Sequence, residues 1–136
     1  MKLFIDTNVI IDVIAKRMPF FNDSLAVFNL CEVGKAEGVV SALTLCTVSY
    51  VLRKYVTAGF MRKKLQAFRN IFTPVDLSVS ILDKAIASSI SDFEDGVQFY
   101  TAVYSESDFI VTRNSKHLPQ ENIPVLTPAE LLSRLE

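Results

Sequence analysis

The sequence has little of what zinc sites and disulfide frameworks require. Its 136 residues include two cysteines, Cys31 and Cys46, and one histidine, His117. The cysteines lie in separate apolar stretches and form no CxxC pair, which argues against a structural zinc site. Two isolated thiols are typical of a reduced, cytoplasmic protein, and we treat His117 as an ordinary surface histidine.

Long apolar runs, repeats and linkers rich in proline and glycine are also missing. No run approaches the roughly 18–20 residues of a membrane span. Asp6 and Asp12 interrupt the apolar N-terminus, and no small-residue cleavage site follows, so it does not read as a signal peptide. We therefore expect one domain over residues 1–136, without membrane association.

The charges nearly cancel, since 14 Lys and Arg face 15 Asp and Glu. This balance excludes a uniformly basic coat but allows a local basic patch. The segment 53–69 contains no acidic residue and six basic ones: Arg53, Lys54, Arg62, Lys63, Lys64 and Arg69. With aromatic residues interleaved, it is a candidate nucleic-acid-binding segment. An ordinary solvated helical face, or a surface for an acidic partner, explains it equally well.

The apolar pattern predicts an α/β protein. Residues 2–5 and 108–112 form short, nearly continuous apolar strands, as in strands buried on both faces. Short strands alternate with helical stretches, which predicts a three-layer α/β/α fold with a mostly parallel central sheet of about five short strands. Within it, Thr44 and Asp92 are predicted helix N-caps, and Gly38 is the predicted stop of the second helix.

Polar residues follow both clear strands. Asp6 ends the first strand, and Thr112 and Asn114 follow the later one. Ligands of parallel sheets collect at the carboxyl ends of the strands. Neighbouring strands would bring these residues together, although Asp6 can instead cap the next helix and Asn114 can form an Asx-turn.

A cluster of carboxylates, Asp92, Glu94 and Asp95, begins a later helix. In one interpretation Asp92 is the N-cap of this helix, and Asp95, three residues later, completes a carboxylate version of the capping box. In the other, Asp95 faces Asp6 and the two hold a divalent cation, since Mg²⁺ is often bound through only one or two carboxylates.

Four stretches, in this order, resemble the motifs of the PIN domain family, the fold of VapC-type toxins and of other metal-dependent ribonucleases. The stretches are MKLFIDTNV (1–9), SALTLCTV (41–48), DFEDGVQ (92–98) and IVTRN (110–114). Each motif alone is weak, but their order and spacing are fairly specific.

The resemblance implies a metal-dependent endoribonuclease whose catalytic residues are Asp6, Asp95 and Asn114. Asp6 and Asp95 would hold Mg²⁺ or Mn²⁺, with Asp92 as a further candidate ligand. The residues that would orient ligands or waters are Asn8, Thr47 and Thr112. The implied partners are RNA and, for the toxin of a toxin–antitoxin pair, an antitoxin protein; many relatives also form homodimers.

Two departures from the family pattern stand out. Thr47 stands where the family usually has Glu, and Asn114 and His117 occupy the two places where a last acid often stands. Glu94 could compensate, although we expect it on a different helical face. Two secure carboxylates favour one metal ion over two. The alternative is a catalytically weak or inactive PIN-fold module that binds RNA or a protein partner.

Overall fold

Five short strands and seven α-helices make up the computed structural model, which describes residues 1–136. The strands are β1 (Lys2–Ile5), β2 (Glu37–Ser41), β3 (Phe72–Val75), β4 (Phe109–Val111) and β5 (Val125–Leu126). The helices are α1 (Thr7–Ile14), α2 (Phe21–Glu32), α3 (Ala42–Leu52), α4 (Ala58–Ile71), α5 (Val79–Ala87), α6 (Phe93–Tyr104) and α7 (Pro128–Arg134). A 3₁₀ turn at Ser115–His117 follows β4. None of the helices has the length and apolar character that crossing a membrane requires.

The sheet is parallel throughout, in the order β3-β2-β1-β4-β5. β1 lies at its centre and is buried on both faces, since Leu3 and Ile5 pack into one apolar core and Phe4 into the other. Helices cover the two faces, which confirms the predicted three-layer α/β fold. β1 and β4 are neighbours, and Asp6 N donates to Val111 O at 2.9 Å. The polar residues that follow these two strands therefore meet at one edge.

Two predicted helix boundaries are wrong, whereas the Asp92 cap is confirmed. α3 is capped by Ser41, whose Oγ accepts from Leu43 N at 3.1 Å, because Ser41 ends β2 in an extended conformation. The predicted cap, Thr44, is instead buried in the first turn. α2 ends at Glu32 and not at Gly38, which lies within β2.

Gly38 leaves no room for a side chain, because a Cβ there would lie 2.6 Å from Phe72 Cδ1 and 2.8 Å from Cys31 Sγ. We expect Gly38→Ala to lower the free energy of unfolding by about 1–3 kcal/mol, the usual cost of overpacking a core. Urea unfolding measures this change. Gly59→Ala is the control, since a Cβ there meets nothing within 4 Å and should be neutral or stabilising by up to about 1 kcal/mol. Equal stability of the two variants would contradict this account of β2.

Candidate metal centre

An acidic cleft of about 810 Å³ lies where β1 and β4 end and α6 begins. Six of the seven residues predicted for catalysis, metal binding or orientation line it: Asp6, Asn8, Thr47, Asp92, Asp95 and Asn114. The seventh, Thr112, is buried and contacts Asp6. The fold thus brings together side chains that are more than 100 positions apart in the sequence.

Asp6 is the most firmly held carboxylate of the cleft. Its Oδ1 accepts from Thr7 N at 2.8 Å and from Gln98 Nε2 at 3.0 Å, while its Oδ2 accepts from Thr112 Oγ1 at 2.7 Å. Asp6 is therefore both the N-cap of α1 and a residue of the cleft. Because a carboxylate oxygen has two lone pairs, Oδ2 retains one that can bind a cation.

Thr112 connects Asp6 to the loop after β4. Besides donating to Asp6, its Oγ1 accepts from Asn8 Nδ2 and from Asn114 N, both at 3.3 Å. Asn8 Oδ1 in turn accepts from Arg113 N at 3.2 Å. These bonds fix both the loop and the carboxylate, which is the geometry that an orienting role for Asn8 and Thr112 requires.

The first turn of α6 supplies the remaining carboxylates. Asp92 Oδ1 accepts from Asp95 N at 2.9 Å, so Asp92 caps the helix. Burial raises the pKa of Asp95, and the negative charges of Asp6, Asp92 and Glu94 raise it further, while nearby His117 lowers it.

Glu94 also lines the cleft, although it and Asp95 are consecutive residues of α6. Burial raises the pKa of Glu94 most, and the negative charges of Asp92 and Asp6 raise it further. Side chains of a helix tilt toward its N-terminus, and consecutive residues of a first turn can therefore face the same space beyond the helix end.

The donor set suits a hard divalent cation, because neighbouring carboxylates repel one another until a cation joins them. No three carboxylate, histidine or cysteine side chains are arranged as a ready-made metal site. Asp6 and Asp95 could supply two ligands to such an ion, and water and substrate oxygens would complete its shell, as is usual for Mg²⁺.

Three buried or half-buried polar residues that make side-chain bonds across the fold were given no role from the sequence: Gln98, Asp12 and Arg113. Gln98 follows Asp95 by three positions and so lies on the same side of α6, a spacing that could have indicated it. Asp12 is fully buried, and its Oδ1 accepts from Arg113 Nη1 at 3.2 Å. Burial raises the pKa of Asp12, and Arg113 and Arg17 oppose the shift. No local pattern indicates a pair so distant in the sequence.

The predicted basic segment lies outside the cleft. All six of its Lys and Arg residues are exposed, and none lines the cleft. Arg53 lies over the Tyr50 ring at 3.9 Å, and Lys64 lies 5.2 Å from the Phe60 ring centroid. The cations that do line the cleft are Arg17 and Lys116, which the sequence analysis did not single out.

A second cavity, an apolar groove of about 710 Å³, is formed largely by α1, α3 and α4. Fourteen of its 17 lining residues are hydrophobic, among them Val51 and Phe60. Ile11 and Arg17 line both the groove and the acidic cleft, so the two cavities are adjacent.

The fold and the cleft define a parallel α/β protein with a candidate divalent-cation site at the carboxyl edge of its sheet. A family model described as PIN domain matches residues 2–116. The chain therefore belongs to the PIN domain family, as its motifs indicated.

Known relatives agree with this membership. The chain is 26% identical over 138 residues to Ribonuclease VapC1 of Aquifex aeolicus (strain VF5), covering 98% of this chain and 94% of the relative. It has the same fold as one chain of a toxin–antitoxin complex from Klebsiella pneumoniae. The TM-score is 0.69 at 23% identity, and the match covers 94% of this chain and 98% of the other. FitAcB from Neisseria gonorrhoeae gives a TM-score of 0.66 at 17% identity, with coverage of 93% and 98%.

The raised pKa of Asp95 predicts that its charge opposes folding when no metal is bound. Between the ordinary carboxyl pKa, about 4, and the raised value, the folded state binds more protons than the unfolded state. Wild-type stability therefore falls as the pH rises through this window. We expect Asp95→Asn to be more stable than the wild type at pH 7 in EDTA, and the difference to vanish at pH 3.5–4. Urea unfolding at both pH values tests this.

The control for that comparison is Asp83→Asn, which removes an exposed carboxylate of α5. Its stability relative to the wild type should change little between the two pH values. A destabilised Asp95→Asn variant at pH 7 would contradict the repulsion argument.

Proposed function

We propose that this protein is a divalent-metal-dependent endoribonuclease that hydrolyses RNA phosphodiester bonds. The observation that carries the proposal is the shared cleft of Asp6 and Asp95, in which the charge of one carboxylate raises the pKa of the other. Membership of the PIN domain family and the similarity to a named ribonuclease support the same activity.

In the proposed mechanism Asp6, through its free Oδ2 lone pair, and Asp95 hold Mg²⁺ or Mn²⁺. When bound, such an ion polarises a phosphoryl oxygen and lowers the pKa of a bound water. Asn114 and Thr47 line the cleft and orient waters or substrate oxygens. Thr47 Oγ1 donates to Leu43 O at 3.2 Å, which leaves its lone pairs available as acceptors.

The proposed site uses a single ion. Asp92 is a further candidate ligand, and it also caps α6 through its Oδ1, which accepts from the Asp95 amide. Thr47 and Asn114 are neutral, and no three acidic, histidine or cysteine side chains are grouped as a metal site, so the cleft suits one ion better than a two-metal clamp. Arg17 and Lys116, at the wall of the cleft, can meet the phosphates of a bound strand.

The exposed basic segment is proposed to hold RNA beyond the cleft. Its members are Arg53, Lys54, Arg62, Lys63, Lys64 and Arg69. Exposed cations contact the phosphate backbone of any sequence, so this surface would add affinity without choosing the cleavage site.

Replacing either proposed ligand should abolish cleavage. We expect Asp6→Asn and Asp95→Asn each to reduce RNA cleavage in Mg²⁺ or Mn²⁺ by more than about 100-fold, since residues one shell further out already cost about 10- to 100-fold. Single-turnover cleavage of labelled RNA measures this loss. Asp83→Asn should cleave like the wild type. Equal cleavage by all four proteins would overturn the proposed mechanism.

The alternative is a PIN-fold module that binds RNA or a protein partner without efficient catalysis. The lack of a three-ligand set favours it. Calorimetric titration with Mn²⁺ separates the two functions, because a nuclease must bind the ion, whereas no binding at millimolar Mn²⁺ would favour the module.

We also propose that the protein is the toxin of a toxin–antitoxin pair and binds its antitoxin in the apolar groove. Two similar structures are named as a toxin–antitoxin complex and as VapBC2 bound to promoter DNA. Such a position would place the antitoxin next to the cleft through Ile11 and Arg17. A homodimer of the chain is also compatible with the exposed apolar side chains of α5, Val79 and Ile86.

A charge in the groove should weaken the complex with the antitoxin. The probe is the product of a short reading frame adjacent to this gene, co-expressed with the full chain. We expect Val51→Asp to weaken binding at least about tenfold, because the complex would bury an unpaired charge. Val33→Asp, at an exposed position outside the groove, should bind as the wild type does. Equal binding by the two variants, or no binding by the wild type, would contradict this partner site.

A further inference from the structure

We propose that Gln98 is the positioning residue that orients the Asp6 carboxylate for metal binding, a role that rests on the proposed function. Gln98 lies in α6, three residues after Asp95, and is 2% exposed. Its side chain lines the inner wall of the cleft and is almost fully enclosed, so it reaches Asp6 from the protein interior.

The amide nitrogen of Gln98 meets three oxygens. Nε2 lies 3.0 Å from Asp6 Oδ1, 3.1 Å from Thr7 Oγ1 and 3.4 Å from Thr44 Oγ1. The hydroxyls of Thr7 and Thr44 are themselves 2.9 Å apart. The reversed amide would set its oxygen against the Asp6 carboxylate, so this environment determines which end of the amide faces Asp6.

The other end of the amide shows that packing alone does not explain the residue. Gln98 Oε1 is buried and has no hydrogen-bond partner. A buried, unpaired carbonyl is costly, and methionine or leucine would fill the same volume without that cost. The favourable contacts of Gln98 are therefore the hydrogen bonds that its Nε2 donates. Asp6 is the only charged residue that accepts one of them.

The effect on metal binding follows from the lone pairs of Asp6. Gln98 and the Thr7 amide together use Oδ1, and Thr112 uses half of Oδ2. The free acceptor position is thereby confined to Oδ2. Without Gln98 the carboxylate can rotate, and the lone pair that meets the ion is no longer fixed. α6 carries both Asp95 and Gln98. The hydrogen bond from Gln98 to Asp6 therefore links the helix that holds one proposed ligand, Asp95, to the carboxylate of the other, Asp6.

The experiment measures Mn²⁺ affinity by calorimetry on the full chain. We expect Gln98→Met, which keeps the volume and removes the donors, to bind Mn²⁺ about 10- to 100-fold more weakly than the wild type, as is typical when an outer partner of a metal ligand is lost. Thr101→Val is the matched control, since this buried hydroxyl of α6 donates only to Val97 O, at 2.7 Å, within its own helix. It should change stability and leave Mn²⁺ affinity within about threefold of the wild type.

A second measurement needs no variant. In the wild type, Mg²⁺ titration followed by NMR should shift the side-chain amide signals of Gln98, with an apparent Kd equal to that of metal binding. The signals of Gln66, an exposed residue that bonds to Asn70 at 3.0 Å, should not move.

The outcomes separate the two hypotheses. If the wild type binds no Mn²⁺, the proposed function fails and this role fails with it. If the wild type binds and Gln98→Met binds equally well, or if Mg²⁺ leaves the Gln98 signals unchanged at saturation, only the role of Gln98 is overturned. Weakened binding in Thr101→Val to the same extent would also overturn it, because any damage to α6 would then have the same effect.

Discussion

The site depends on the parallel pairing of β1 with β4 and on the 2.7 Å hydrogen bond from Thr112 Oγ1 to Asp6 Oδ2 that the pairing allows. The two residues are 106 positions apart, and only neighbouring parallel strands that end at the same edge bring them into contact. Asp6 is nearly buried, so each donor it meets replaces water that it lost on folding. The same bonds that compensate this burial fix the carboxylate in one orientation, and stability and site geometry therefore have a common origin.

The parts of the structure that could be predicted are those with a local signal. The apolar run of residues 2–5 predicts a buried strand because water is excluded from both of its faces, and Asp92 predicts a helix start because free amides need an acceptor. Thr44 has the side chain of a good N-cap as well, but α3 begins three residues earlier because Ser41 ends β2 and caps the helix. The partners of Gln98 and Asp12 depend on contacts across the fold. The spacing from Asp95 places Gln98 on the same side of α6 but does not identify Asp6 as its partner, and nothing beside Asp12 identifies an arginine 101 positions away.

α1 separates two surfaces of opposite character. One side of the helix faces the acidic cleft, and the other faces the apolar groove, with Ile11 and Arg17 contributing to both. A partner in the groove would thus lie beside the charged groups of the cleft. Asp12, buried in the same helix and paired with Arg113, connects α1 to the loop that carries Asn114.

The neutral residues Thr47 and Asn114 bear on the balance between stability and the proposed metal affinity. Each additional carboxylate in the cleft would strengthen cation binding, but it would also raise the free energy of the metal-free fold, as the upward pKa shifts of Asp95 and Glu94 already indicate. The neutral Thr47 and Asn114 avoid that repulsion and offer the ion fewer charged ligands. If Asp6 and Asp95 are the two ligands, the direction of each of their free lone pairs decides how well an ion is held. Neutral donors that fix Asp6, rather than further acids, would then be the means by which the cleft favours a bound cation.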